Sequence, residues 1–229
     1  PCQLELAEGM RLELLQPPAG GGGFIAEHLA RSAGAANPHH ITFKVADIHA
    51  AKDLARSAGV RTILENLENQ WWKELFLHPK DTGLGFLVQL VQTELALDGN
   101  DEVTAPGAVD CPWDEQPAEQ NPAQRLDFIA GSIHDAVQAR LVLGTVLGAQ
   151  ITDLEDDPKT QLFSWPLGSS LVLRVNESIP PGLQQLSFTD PSTPVPILDA
   201  GLLQALHGSG SRFEALGLDI LTGQRAHAA

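Results

Sequence analysis

Between His40 and Val45 the chain alternates, with Ile41, Phe43 and Val45 on one side and His40, Thr42 and Lys44 on the other. Such period-2 spacing predicts a strand with one packed face and one open face. Asp47 is placed to cap a helix whose apolar positions are Ile48, Ala51, Leu54 and Ala55, and Gly59 is placed to stop it. Residues 60–65 predict another strand. Residues 71–78 and 85–91 predict a pair of strands joined through the turn-forming run Pro79-Lys80-Asp81-Thr82-Gly83. In the last strand Phe86, Val88 and Leu90 pack, which leaves Gln89 on the open face. The order is strand, helix, then three strands.

Upstream, residues 3–7 and 10–16 alternate around Glu8-Gly9 and predict a hairpin. Met10, Leu12 and Leu14 share one face of its second strand, with Arg11 and Glu13 on the other. Residues 17–23, rich in glycine, read as a linker into a short helix over 24–32 with Phe24, Ile25 and Leu29 packed. Downstream, residues 94–123 are acidic, contain no Lys or Arg, and carry Pro106, Pro112, Pro117 and Pro122. They read as an interdomain linker with Trp113 as a packing anchor.

The second half repeats the first. Ser132-Ile133-His134-Asp135 opens a predicted helix with Ile133, Val137, Leu141 and Leu147 at helical spacing and Gly148 at its end. Strands are expected at 150–154, 161–165 and 170–175, and residues 183–188 echo residues 38–43 position by position. A helix over 198–206 and a closing strand over 214–221 complete the pattern. Repetition on this scale predicts domains at 1–93 and 124–229.

Composition narrows the function. At 229 residues the chain can bury a substantial core. A net charge of −15 and a pI near 4.7 disfavour phosphate backbones and anionic membranes, so neither nucleic acid nor a membrane is an expected partner. Two cysteines in unrelated contexts, Cys2 and Cys111, make no disulfide framework and point to a cytoplasmic location. The chain opens directly on a strand pattern, which suggests further residues upstream of Pro1.

The stretches His39-His40-Ile41-Thr42-Phe43-Lys44-Val45-Ala46-Asp47-Ile48, Glu13-Leu14-Leu15-Gln16-Pro17 and Phe76-Leu77-His78-Pro79-Lys80-Asp81-Thr82-Gly83 resemble the vicinal-oxygen-chelate superfamily of glyoxalases, bleomycin-resistance proteins and extradiol dioxygenases. The third stretch looks like the methylmalonyl-CoA epimerase branch. The resemblance is good over residues 3–92 and weaker over 124–221. It implies an α+β fold of repeated βαβββ modules forming curved mixed sheets, with the first module truncated at its N-terminal side. It also implies a divalent metal (Zn, Co, Ni, Mn or Fe) held on the open face by a His on the first strand and a Glu or Gln on the last strand of each module. Carried over, these positions are His40, Glu13 and Gln89, with Glu13 doubling as the catalytic base. Mixed N/O ligation of this kind suits such ions. A neutral amide at 89 is a weaker ligand than a carboxylate and cannot act as a base.

Aligning Ser132-Ile133 with Asp47-Ile48 puts Arg125 at the His40 position. Gly168 aligned with Gly9 puts Val172 at the Glu13 position, while Gln185 matches His40 and Asp219 falls near Gln89. Arg, Val, Gln and Asp make no divalent-metal site, so the second domain is expected to be degenerate. Lys80 and Trp71 are candidate substrate contacts. Against these stand plainer readings: a strand-end His40 that only hydrogen-bonds, a solvated Lys80 and a packed Trp71. The leading function is an isomerase or lyase acting beside a carbonyl of a small molecule through an enolate-type intermediate. The alternatives are a non-catalytic small-molecule-binding protein, or a scaffold whose second domain mediates a homodimer.

Overall fold

A computed structural model of the chain describes residues 2–94, 124–154, 157–192, 211–213 and 217–222. Trp113, most of the linker and the expected helix at 198–206 lie outside the described residues. The hairpin forms as expected. β1 (Cys2–Glu5) and β2 (Arg11–Leu14) are antiparallel, with Glu13 opposite Gln3. α1 (Gly23–Arg31) follows and buries Ile25. Phe24, expected to pack, is 65% exposed, because it lies in the first turn, where its ring approaches only that of His39.

The central module runs β3 (His40–Lys44), α2 (Ile48–Ser57), β4 (Thr62–Asn66), β5 (Lys73–Leu77), α3 (Pro79–Thr82) and β6 (Leu87–Gln92). Its sheet has the order β3-β6-β5-β4, with β3 parallel to β6 and the other neighbours antiparallel. The Asp47 carboxylate accepts from the backbone N–H groups of His49 and Ala50, satisfying two donors that a helix start otherwise strands. α2 buries Ile48, Ala51 and Ala55. Leu54 sits about 90° around the helix from that strip and is largely exposed, contrary to expectation.

The second half runs β7 (Arg125–Ile133), α4 (Ala136–Ala139), a π-helical continuation (Arg140–Val146), β8 (Gln150–Leu154), β9 (Asp157–Ser164), β10 (Ser170–Val175), β11 (Gly182–Thr189), β12 (Ser211–Phe213) and β13 (Leu218–Thr222). Its sheet has the order β12-β13-β11-β7-β10-β9-β8. The part β7-β10-β9-β8 repeats β3-β6-β5-β4 strand for strand and direction for direction. β11, β13 and β12 repeat three strands of it once more and join through the antiparallel β11–β7 pair. The repeat expected from the sequence is therefore present in the fold.

Its frame differs from the expected one. Ser132 and Ile133 still belong to β7, and the helix cap is Asp135, which accepts from Val137 N–H and Gln138 N–H. Asp135 therefore matches Asp47, and Phe128, not Arg125, stands at the His40 position. The ladders agree, since Phe128 faces Ser170 at the start of β10 as His40 faces Leu87 at the start of β6. The shifted frame and the wider π turn also replace the expected packed face. Val137 is 77% exposed, and Ala139, Val142, Leu143 and Val146 are buried instead.

One hydrophobic cluster spans both halves, with Ile48, Leu75, Leu77 and Val88 from the first and Ile133, Leu143 and Leu173 from the second. β7 is buried along its whole length, including its polar Arg125, Asp127 and Ser132, so it shows no alternation of apolar and polar positions. The halves meet closely at Gly85. A Cβ there would lie 2.1 Å from the Pro181 backbone, so only glycine fits. Gln138 Nε2 also donates to Asp81 O at 2.6 Å across the same junction.

Candidate functional site

Alternation along β3, β5 and β6 puts His40 and Thr42, Glu74 and Phe76, and Gln89 on one face of the central sheet, opposite the buried Leu75, Leu77, Val88 and Leu90. β2 brings Glu13 to this face from the separate hairpin. Its Oε2 lies 3.8 Å from His40 Nε2, with the two side chains 29% and 15% exposed. Two of the three expected metal positions thus converge, although 27 residues separate them in the chain. The third, Gln89, is buried within the same sheet.

Burial lowers the pKa of His40, opposed by the charges of Glu13 and Glu74. Its neighbour His39 is pushed down to about 4, first by burial and then by the imidazoles of His40 and His28 and by Arg31. His39 is therefore neutral near pH 7. The Nδ1 atoms of His39 and His40 are 2.9 Å apart, so one donates and the other accepts. When His40 donates, its Nε2 keeps a lone pair directed toward Glu13. The imidazoles and rings continue as a ladder, from Phe24 and His28 through His39 and His40 to Phe76.

Gln89 is engaged at both ends of its amide. Oε1 accepts from Thr42 Oγ1 at 2.6 Å, and Nε2 donates to Glu74 Oε2 at 2.7 Å. Trp72 Nε1 donates to the same Glu74 oxygen at 3.0 Å. Of these residues, Glu74 is the one that the sequence does not single out. The signal was available, because Glu74 and Phe76 alternate with Leu75 and Leu77.

The other expected contacts do not converge. Trp71 is exposed at one end of β5, and Lys80 is exposed on α3 at the other, roughly 15 Å away by strand rise. The Pro79–Gly83 run has a structural duty. Asp81 accepts two bonds from the Arg61 guanidinium at 2.8 Å each and one from the Arg61 backbone N–H at 3.0 Å.

Among the described residues the second half carries no counterpart of the His40–Glu13 pair. At the positions of His40 and Gln89 stand Phe128 and Val172, packed with Ala130, Leu154 and Leu221 in an apolar cluster. Arg125 is buried in an ion pair with Asp127 at 2.8 Å and donates to Thr189 Oγ1 at 3.0 Å. Gln185 and Asp219 lie side by side in the β11–β13 ladder.

Two donors that each sit about 2.1 Å from a cation can be at most about 4.2 Å apart. The 3.8 Å separation of His40 Nε2 and Glu13 Oε2 therefore admits a divalent ion between an imidazole and a carboxylate. Among the described residues no group of three or more His, Cys, Asp or Glu gathers around one point.

No protein-family model matches the chain, and no curated protein matches it. Solved structures do. A hypothetical protein from Staphylococcus aureus aligns over 87% of this chain and 71% of its own at 9% identity, with a TM-score of 0.54. A catechol 2,3-dioxygenase aligns over 82% and 69% at 12% identity, with a TM-score of 0.50. A methylmalonyl-CoA epimerase is 33% identical, but over only 31% of this chain and 50% of its own, with a TM-score of 0.27, too small a share of the fold to argue from. The chain has an α+β, glyoxalase-like fold of curved mixed sheets. Among the described residues no helix is long and apolar enough to cross a membrane.

Proposed function

We propose that the chain is a metal-dependent, glyoxalase- or epimerase-like isomerase or lyase acting on a small molecule next to a carbonyl group. The observation that carries this reading is the meeting of His40 Nε2 and Glu13 Oε2 on the open face of a sheet whose opposite face is core. His40 and Glu13 are the protein donors to a divalent cation. A cation held there supplies Lewis acidity toward a carbonyl oxygen. His39 accepts from His40 Nδ1–H and fixes the ring orientation, as outer partners of ligating imidazoles do. Gln89 serves as a hydrogen-bonded bridge between β3 and β5.

Metal analysis of the full chain, extracted without chelators, tests the proposal. The expected result is one divalent ion per chain, lost in His40→Ala. If no divalent metal co-purifies or binds and His40→Ala changes nothing, the enzyme reading fails. A second reading, a binding protein without chemistry, is favoured by Gln89 being hydrogen-bonded at both ends of its amide and by the apolar residues at the equivalent positions of the second half. It predicts ligand binding that is indifferent to metal.

A further inference from the structure

We infer that Glu74 is the proton-accepting carboxylate of this site and that Gln89 is the residue that positions it. The inference rests on the function proposed above and assigns the base that Glu13, occupied as a ligand, does not supply. A carboxylate only accepts hydrogen bonds, so the group 2.7 Å from Glu74 Oε2 must be the NH2 of Gln89. The Gln89 oxygen is then the atom that takes the Thr42 hydroxyl at 2.6 Å. A glutamate at 89 would instead set two carboxylates against each other, and one would have to take up a proton. Gln89 therefore gives Glu74 an amide donor where a glutamate would bring a second carboxylate. The carboxylate that the resemblance assigns to the last strand is found one strand over.

Both bonds to Glu74, from Gln89 and from Trp72, fall on Oε2. Among the described residues Oε1 accepts none. Glu74 is half-buried on the same face as His40, and its charge acts on the His40 imidazole. Its place is fixed by bonds from Gln89 on β6 and from Trp72 just before β5, so one oxygen is held and the other keeps its lone pairs on the face that carries His40. In the proposed step the C–H bond beside the substrate carbonyl breaks and its proton passes to Glu74 Oε1. The electron pair moves into the carbonyl to give the enolate. Delivery of that proton to the neighbouring carbon, or of a solvent proton to the opposite face of the same carbon with loss of the first proton to solvent, completes an isomerisation, whereas expulsion of a leaving group from the adjacent carbon completes a lyase reaction. The substrate class is thus a carbonyl compound with an acidic α-hydrogen.

The test uses the full chain loaded with Co2+. It reads α-hydrogen exchange of a methylmalonyl thioester of N-acetylcysteamine in D2O by NMR, with Co2+ affinity measured in parallel by titration. Glu74→Gln is expected to slow exchange at least about 100-fold, the usual scale for losing a general base, and to leave Co2+ affinity unchanged. The exchanged pair Glu74→Gln with Gln89→Glu restores the carboxylate–amide bond with its polarity reversed, and is expected to recover at least about tenfold of that loss. A merely structural role would give no such recovery. If Glu74→Gln exchanges like the parent, the inference is overturned and the proposed function stands. If it loses Co2+ affinity as well, Glu74 is a ligand and the assignment as base is wrong. If the parent neither binds Co2+ nor exchanges the probe, the proposed function falls and takes the inference with it.

Discussion

Two glycines with nearly the same backbone angle separate local strain from the packing of the two halves. Gly59 at the end of α2 has φ of 74°, and Gly85 before β6 has φ of 77°. An alanine at either position pays the left-handed penalty, about 1–2 kcal/mol. Around Gly59 a Cβ meets nothing within 4 Å, so strain is the whole effect. At Gly85 the Cβ would stand 2.1 Å from both the carbonyl carbon and oxygen of Pro181 and 2.5 Å from Gly182 N. These are backbone atoms, which cannot rotate aside. Reaching ordinary contact near 3.4 Å requires the halves to part by more than 1 Å. Overpacking of this kind costs about 1–3 kcal/mol more, so Gly85→Ala should lose about 2–5 kcal/mol in all. With a urea m-value of about 2 kcal/mol/M, the two variants' midpoints should differ by about 0.5–1.5 M. The assay is urea unfolding of the full chain followed by tryptophan fluorescence. Equal midpoints for Gly59→Ala and Gly85→Ala would refute the close approach of β6 to the Pro181–Gly182 turn, and with it the shared core.

Further predictions follow from the second half and from titrating groups. Asp135→Ala should cost about 1 kcal/mol through the lost helix cap, whereas Asp135→Asn, which keeps a capping oxygen, should lose much less; thermal unfolding distinguishes the two. Phe128→Ala should cost about 3–5 kcal/mol, because Phe128 fills the position that His40 occupies in the first half. The Arg61 guanidinium holds the Asp81 carboxyl well below the usual range, so its contribution is complete above about pH 4 and is lost as pH falls. His39, pushed down to about 4, makes the unfolded chain the better proton acceptor below about pH 6.5. Stability should therefore decline from there toward pH 4, and His39→Asn should flatten that limb in pH-dependent urea melts.

Much of the architecture is legible in the sequence because the module carries its own punctuation. Asp47 and Gly59 bracket α2, Gly83 takes the left-handed turn after α3, and alternation sorts His40, Thr42 and Gln89 from Ile41, Phe43 and Val88. The sequence alone misplaces the frame of the second repeat, because β7 is buried on both faces. With no alternation between Leu126 and Ile133, the polar Ser132 resembled a helix cap, and only the hydrogen bonds to Asp135 reveal the true one. That frame had put Arg125 at the His40 position. The meeting of Glu13 with His40 is tertiary, and no local pattern encodes a 3.8 Å approach between a hairpin and a strand 27 residues away. Glu74 is inconspicuous in the sequence for a different reason. An acidic residue on the open face of a strand looks solvated until the neighbouring strand supplies Gln89.

The proposed function requires one divalent ion between His40 and Glu13, in the first half. Titrating the full, histidine-labelled chain with Zn2+ while following the imidazole resonances by NMR tests it most directly. The prediction is saturation at one equivalent, with the largest shifts at His40 Nε2, smaller shifts at His39, no change at His134, and no saturable site in His40→Ala. Binding that leaves the His40 resonances unmoved, or that survives unchanged in His40→Ala, would contradict it.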